Sequence, residues 1–224
     1  SEKLKLFKLN KDNGSSVVMI DDDYGKRIAE LNSNVKCISL KNEDADYFCT
    51  SYSINSFGLA GTLAWDSETL DFESKLIGSF NLENLILAAS IAIELNISAQ
   101  SIAKGIENCT NIDGRLHLVE NQKNQMIFLD YAHSPDAYFR TLKALEKNFS
   151  RPLKVLFGAG GGRDKSKRPK MAKVVEKYST ECYLAPDNPR FEDIELINND
   201  IIKGFSNESH HIFNDRKEAL IFAL

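Results

Sequence analysis

Three polar clusters, each directly after an apolar run, carry residue types suited to nucleotides and small anions. The first is Asp130-Tyr131-Ala132-His133-Ser134-Pro135-Asp136. An acid directly after an apolar strand can accept from a ribose hydroxyl, and Tyr131 and His133 offer ring faces for stacking on a base. The alternative is a loop and helix start, since Ser134-Pro135 puts Pro at the first helical position. The second cluster runs from Gly158 through Ala159, Gly160, Gly161, Gly162, Arg163, Asp164, Lys165, Ser166, Lys167 and Arg168 to Pro169. Its glycines allow close backbone approach to an anion, and free N–H groups can cradle it. Five basic residues lie between Arg163 and Lys170 in a chain of net charge -4, which points to a negatively charged ligand. A P-loop fails on register, because GxxxxGK(S/T) needs Gly directly before the Lys and Asp164 stands there. A solvated basic loop with a glycine turn is the alternative. The third cluster, Asp187-Asn188-Pro189-Arg190, offers the planar fork of Arg to a carboxylate, an amide that donates or accepts, and a Pro that stiffens the turn. By itself it also reads as a common turn.

Two further sites lie upstream. In Gly78-Ser79-Phe80-Asn81-Leu82-Glu83-Asn84, the amides of Asn81 and Asn84 are three apart at a helix start, near enough to read an adenine edge together. Helix capping by Asn81 is the alternative. Arg115 follows the turn at Asp113-Gly114, a position suited to reaching a nucleotide held between domains, or to an ordinary surface arginine.

The elements that must position these residues follow from periodicity. Strands are expected over 17–20, 35–40 and 46–55, with a helix over 24–31 after Asp21-Asp22-Asp23. Residues 59–65 and 70–72 read as paired strands joined at Asp66-Ser67. Apolar residues at Leu82, Leu85, Ile86, Ala89 and Ile93 predict a helix over 81–95, and Ser98 caps another over 99–108. After Gly114 a regular βαβα pattern is expected. Its strands are 125–129, 153–157, 181–185 and 210–213; its helices are 135–148, 169–178, 193–204 and one opening at Arg216. Such alternation implies an α/β fold with a mostly parallel sheet, whose ligands bind beyond the carboxyl ends of the strands. The domain boundary is expected near Ile112.

The 224 residues allow one large domain or two smaller ones. With 42% hydrophobic and 27% charged residues the composition is that of a soluble globular protein. No broad basic footprint marks a nucleic-acid partner, no apolar run is long enough for a membrane span, and no h-region follows the start. Cys37, Cys49, Cys109 and Cys182 form no CxxC pair, so reduced thiols are expected and structural zinc is not.

Together these residues resemble the Mur ligase family, and within it the enzymes that add the third amino acid of the peptidoglycan peptide. Phe80-Asn81-x-x-Asn84 looks like the family's adenine-contacting motif, and Gly114-Arg115 like the Gly-Arg that opens its C-terminal domain and contacts ATP phosphate. Residues Asp130 to Ala137 are close to the family form DYAHTPDA, with Ser134 in place of Thr. The glycine loop resembles GxGGDRDxxKRP, with Gly162 where Asp usually stands. Asp187-Asn188-Pro189-Arg190 matches the recognition motif of the meso-diaminopimelate-adding members.

The resemblance implies a C-terminal Rossmann-like domain with a mostly parallel sheet over 113–224. Before it would come the C-terminal half of the family's central ATPase domain, over 1–112. It implies an ATP-dependent ligase in cytoplasmic peptidoglycan synthesis, joining meso-diaminopimelate to UDP-MurNAc-L-Ala-D-Glu through an acyl phosphate. Asn81, Asn84, Arg115, Asp130, Tyr131 and His133 would bind ATP. Arg163, Asp187, Asn188, Pro189 and Arg190 would bind diaminopimelate, with closure across the Ile112 to Arg115 hinge. Mg2+ would accompany ATP, with the family's P-loop, carbamylated lysine and most metal ligands expected upstream of Ser1. The GKGHE motif is expected beyond Leu224, so the fragment alone should be inactive. No nucleic-acid or membrane partner is expected, and a monomer is. A lysine-adding ligase is the nearest rival, opposed by Arg190, whose fork suits a distal carboxylate and repels an ammonium. A Rossmann-type dinucleotide oxidoreductase is the rival from another class, opposed by the glycine spacing. A non-catalytic binding domain is a third.

Overall fold

Short apolar runs and helices build a five-stranded, a three-stranded and a two-stranded sheet among the described residues of a computed structural model, which are residues 4, 5, 7, 14–123, 125–208 and 210–224. The chain divides into two compact units, Ser1–Leu129 and Asp130–Leu224.

In the first unit, β1 (Ser16–Met19), β2 (Val35–Ser39) and β3 (Tyr47–Asn55) pair in parallel, and β4 (Gly58–Trp65) and β5 (Glu68–Ser74) continue the same sheet antiparallel. The chain crosses from β1 to β2 through helix α1 (Asp23–Glu30), started by Asp22, whose carboxylate accepts from the Gly25 amide at 2.7 Å. Gly25 is required there because a Cβ would lie 1.7 Å from the Met19 carbonyl oxygen. Asp66 takes a left-handed φ of 47° in the tight β4–β5 turn. Helices α2 (Ser79–Glu94) and α3 (Ala99–Asn108) complete the unit, the latter capped by Ser98 as expected. Ile38, Leu63, Leu82 and Ile86 have no exposed surface and form the centre of the core.

The expected strand over 125–129 is shorter and pairs differently. β7 (Ile127–Leu129) forms an antiparallel ladder with β6 (His117–Val119), which periodicity did not indicate. Three residues are too few to show alternation. The Asn121 side chain shapes the connection, accepting from the Lys123 and Gln125 amides and donating to the Val119 and Gln125 carbonyls. By contacts this hairpin belongs to the first unit.

The second unit is the α/β architecture. β8 (Lys154–Phe157), β9 (Glu181–Leu184) and β10 (His210–Ile212) form an all-parallel sheet with β9 in the centre. Helices α4 (Pro135–Phe149), α5 (Lys167–Tyr178), α6 (Ile194–Ile202) and α7 (Arg216–Ala223) alternate with the strands. α4 starts on Ser134, which accepts from the Ala137 amide at 3.3 Å, and has Pro135 in its first turn. Phe157, Met171, Val175, Leu184 and Ile201 fill the core. Among the described residues, all four cysteines are free and no helix is long and apolar enough to cross a membrane.

Leu63 lies at the centre of the first unit with no exposed surface. Leu63→Ala is expected to destabilise that unit by about 2–5 kcal/mol, read as a lower urea midpoint.

Candidate functional site

Because β8 and β9 are parallel neighbours, the loops leaving their carboxyl ends must lie side by side. These loops are the glycine cluster and the Asp187-Asn188-Pro189-Arg190 cluster. The Ala185 amide donates to the Phe157 carbonyl at 2.9 Å, and beyond that bond the Gly161 amide donates to the Asn188 carbonyl at 2.9 Å. A Cβ at Gly158 would stand 2.1 Å from the Ala185 carbonyl oxygen, and one at Gly161 would stand 1.9 Å from that of Pro189. These glycines therefore serve the close approach of another backbone. Two of the N–H groups expected to be free for an anion are engaged within the protein. The Gly161 amide is engaged by Asn188, and the Gly162 amide donates to Glu192 at 3.1 Å.

The recognition loop holds a tight shape. The Asn188 side chain accepts from the Arg190 amide at 3.2 Å, and Pro189 accepts from the Glu192 amide at 3.0 Å. Arg190 adopts a left-handed φ of 53°, unfavourable for a residue with a Cβ and kept by these surrounding bonds. Its guanidinium donates to the Gly161 carbonyl. A Cβ on Gly160 would meet Arg190 Nη1 at 3.0 Å, the Asn188 carbonyl oxygen at 3.4 Å and Asp187 Oδ2 at 3.9 Å. The missing side chain thus leaves a small space bordered by Asp187, Asn188 and Arg190.

The five bases differ in their surroundings. Arg168 is fully buried and donates to both oxygens of Glu192 at 2.8 Å, to Asp200 at 3.0 Å and to the Gly160 carbonyl at 3.4 Å. Lys165 pairs with Glu192 at 2.8 Å, and Lys167 donates to the His133 carbonyl at 2.8 Å. Arg163 remains exposed at the outer turn. Sequence reasoning missed Glu192 and Asp200 as members of this assembly. The one available signal was Glu192, an acid two residues beyond Arg190.

The Arg168 hydrogen bonds, then Lys165 and the Gly162 amide, hold the Glu192 carboxyl far below the usual carboxylate range. Asp200 is lowered by its hydrogen bond to Lys203, with Arg168 adding to the effect. A depressed folded-state pKa gives stability that is present above the unfolded carboxylate pKa and lost as pH falls through the folded value.

In the first polar cluster, the Asp130 carboxylate accepts from the Ala132 amide at 2.9 Å and the Thr141 hydroxyl at 3.1 Å. Tyr131 is 72% exposed, and His133 is also exposed, its Nδ1 within 3.0 Å of the Tyr131 carbonyl oxygen. The Lys167 bond ties this cluster to the start of α5.

The upstream residues lie in the first unit. Gly78 occupies the N-cap position of α2 without a side-chain bond, so Asn81 is not the cap. Asn81 is fully buried inside the first turn, its amide donating to the Ile77 carbonyl at 2.9 Å. Its buried Oδ1 finds no hydrogen-bond partner. Asn84 is exposed. Arg115 is exposed beside Gly114 (φ 69°), its amide donating to the Ile112 carbonyl at 2.9 Å. No group of three or more His, Cys, Asp or Glu side chains among the described residues gathers to hold a metal ion.

The family model described as "Mur ligase, glutamate ligase domain" matches residues 114–224, and the "Mur ligase middle domain" matches residues 1–92. The chain belongs to the Mur ligase family. It is 36% identical to the UDP-N-acetylmuramoyl-L-alanyl-D-glutamate--2,6-diaminopimelate ligase of Fusobacterium nucleatum, over 99% of this chain and 46% of the relative. It is 34% identical to the ligase of the same name from Aquifex aeolicus, over 98% of this chain and 45% of the relative. The chain thus spans less than half the length of these curated relatives. A solved structure of a ligase of that name aligns with a TM-score of 0.58 at 31% identity, covering 98% of this chain and 46% of that one. A Mycobacterium tuberculosis folylpolyglutamate synthase complexed with ADP aligns with a TM-score of 0.81 at 16% identity, covering 99% of this chain and 50% of that one, a likeness of fold.

Arg168→Met would leave two carboxylates without their shared cation. It is expected to destabilise the second unit by on the order of 3 kcal/mol in urea denaturation at neutral pH. Wild-type stability should decline as pH falls below the ordinary carboxylate range, and Glu192→Gln should flatten that decline in an acid titration followed by circular dichroism.

Proposed function

We propose that this chain belongs to an ATP-dependent ligase that joins meso-diaminopimelate to UDP-MurNAc-L-Ala-D-Glu in peptidoglycan precursor synthesis. The observation that carries the reading is Asp187-Asn188-Pro189-Arg190 held by backbone contact against the Gly160–Gly162 turn, next to exposed Arg163. The name shared by the relatives at 34–36% identity supports it. In this reading Arg163 and Arg190 bind carboxylate, the ligand carrying the charge that two guanidinium groups favour. Asn188, Asp187 and Pro189 shape the turn that aims Arg190 and orient the distal end of the amino acid.

The nucleotide side is read from residues that fit it. Asp130 is oriented by Ala132 and Thr141 to accept from a ribose, and Tyr131 and His133 offer exposed rings beside it. Asn84 is the amide with access to an adenine edge, and buried Asn81 supports the helix start beneath it. Arg115 serves ATP phosphate from the turn at which we put the domain junction. Mg2+ would accompany ATP and neutralise phosphate charge, but the described residues do not make a metal site, so no step is assigned to it.

The reaction is phosphoryl transfer followed by acyl transfer. The glutamate side-chain carboxylate takes the γ-phosphoryl group of ATP, releasing ADP and giving an acyl phosphate. The diaminopimelate amine then attacks the acyl carbon, forming the amide, and phosphate leaves with loss of the amine proton. Catalysis of this kind rests on positioning and charge stabilisation. We further read the protein as a cytoplasmic monomer.

Phosphate release by the full-length protein with UDP-MurNAc-L-Ala-D-Glu, ATP and Mg2+ tests this. Diaminopimelate should support turnover and L-lysine should not. Arg190→Ala should raise KM for diaminopimelate about tenfold or more, the scale of losing a charge-assisted hydrogen-bond pair. A preference for lysine would overturn the reading of Arg190. No release with either amino acid by a folded, ATP-binding protein would overturn the ligase reading.

A further inference from the structure

We propose that Glu192 is the positioning residue that sets Arg163 and Arg190 relative to one another, an inference that rests on the amino-acid pocket proposed above. Its carboxylate lies where the two loops meet. It accepts from the Gly162 amide at 3.1 Å and from Lys165 at 2.8 Å, and these two residues bracket Arg163 in sequence. On its own loop Glu192 stands two residues beyond Arg190, and its amide closes the turn onto the Pro189 carbonyl at 3.0 Å. One side chain thus grips the segment carrying the first arginine while its backbone fixes the turn carrying the second.

The grip has a firm base. Arg168 presents two parallel N–H donors at 2.8 Å each to the two oxygens of Glu192, a bidentate geometry that fixes the carboxylate plane. Arg168 is itself fully buried, held by Asp200 at 3.0 Å and in reach of the Gly160 carbonyl at 3.4 Å. The Arg168 and Glu192 side chains are 1% and 12% exposed, so water screens this pair little.

Charge gives Glu192 a second effect. Lys165 is an exposed cation two residues beyond Arg163, and left unpaired it would compete with Arg163 and Arg190 for an incoming carboxylate. By engaging Lys165, Glu192 leaves the incoming carboxylate to Arg163 and Arg190. Glu192→Gln keeps the size of the side chain and one oxygen acceptor, but it releases Lys165 and weakens the hold on Gly162. A site that is loose by a fraction of an ångström binds its ligand poorly even with every contact residue present.

The test compares full-length wild type with Glu192→Gln and Glu192→Asp. Phosphate release is followed with diaminopimelate varied and then with ATP varied, and amide exchange is followed over residues 158–166. Glu192→Gln should raise KM for diaminopimelate on the order of tenfold or more while KM for ATP stays within about twofold, a loss confined to amino-acid binding. Exchange over 158–166 should quicken, with the β8 and β9 amides unchanged. Glu192→Asp keeps the charge on a shorter arm and should fall between the other two; it also serves if Glu192→Gln does not fold. Faster exchange with unchanged KM, or equal loss in every kinetic parameter, would overturn the proposal. If wild type releases no phosphate with either diaminopimelate or lysine, the ligase reading fails. Exchange over 158–166 that is the same in all three proteins would then separately refute the grip of Glu192 on the glycine loop.

Discussion

The approach of two backbones at the carboxyl end of the parallel sheet governs the second unit. β8 and β9 are hydrogen-bonded neighbours, so the chains leaving them run close enough that Gly158 and Gly161 each face a carbonyl oxygen where a Cβ would be. An approach of that kind excludes side chains and demands hydrogen bonds in their place. The Gly161 amide to Asn188, the Gly162 amide to Glu192 and the Arg190 guanidinium to Gly161 supply them. The shape of both loops follows from this contact, and so does the location of the residues read as the amino-acid pocket.

Charge is arranged on the same plan. A basic run in an acidic chain looks like an anion trap, yet much of it is neutralised from within. Arg168 is buried against Glu192 and Asp200, and Lys165 shares Glu192. Burying a guanidinium is costly unless its donors are met, and here Glu192, Asp200 and the Gly160 carbonyl meet them. Arg163 and Arg190 remain exposed. In the pocket proposed above, pairing Arg168 internally while Arg163 and Arg190 stay exposed would select for where a carboxylate sits, beyond its sign.

The first unit follows different constraints. Its sheet changes from parallel to antiparallel at β3–β4, and its core is formed by Ile38 and Leu63 from the strands with Leu82 and Ile86 from α2. Burial of Leu82 and Ile86 brings Asn81 into the interior as well, and its neighbour by one turn, Asn84, faces out. The same Asn-x-x-Asn spacing therefore yields one supporting amide and one accessible amide, because residues three apart on a helix are displaced by about 60° around its axis.

Periodicity, caps and punctuation were enough to read most elements from the sequence. The runs at 17–20, 35–40, 153–157 and 181–185 became strands, and Ser98 and Ser134 became helix caps, because these signals are local. The motifs from Gly78 to Arg190 also sufficed to recognise the family, since their order along the chain is itself a sequence property. The β6–β7 ladder was not legible, because three-residue strands depend on a partner that periodicity does not name. Nor was the use of each glycine and each base. Whether Gly161 faces an anion or a carbonyl, and whether Arg168 faces solvent or two carboxylates, depends on which loops the sheet sets side by side. That adjacency joins residues some thirty positions apart, from Gly162 to Glu192 and from Arg168 to Asp200, and only the tertiary structure decides it.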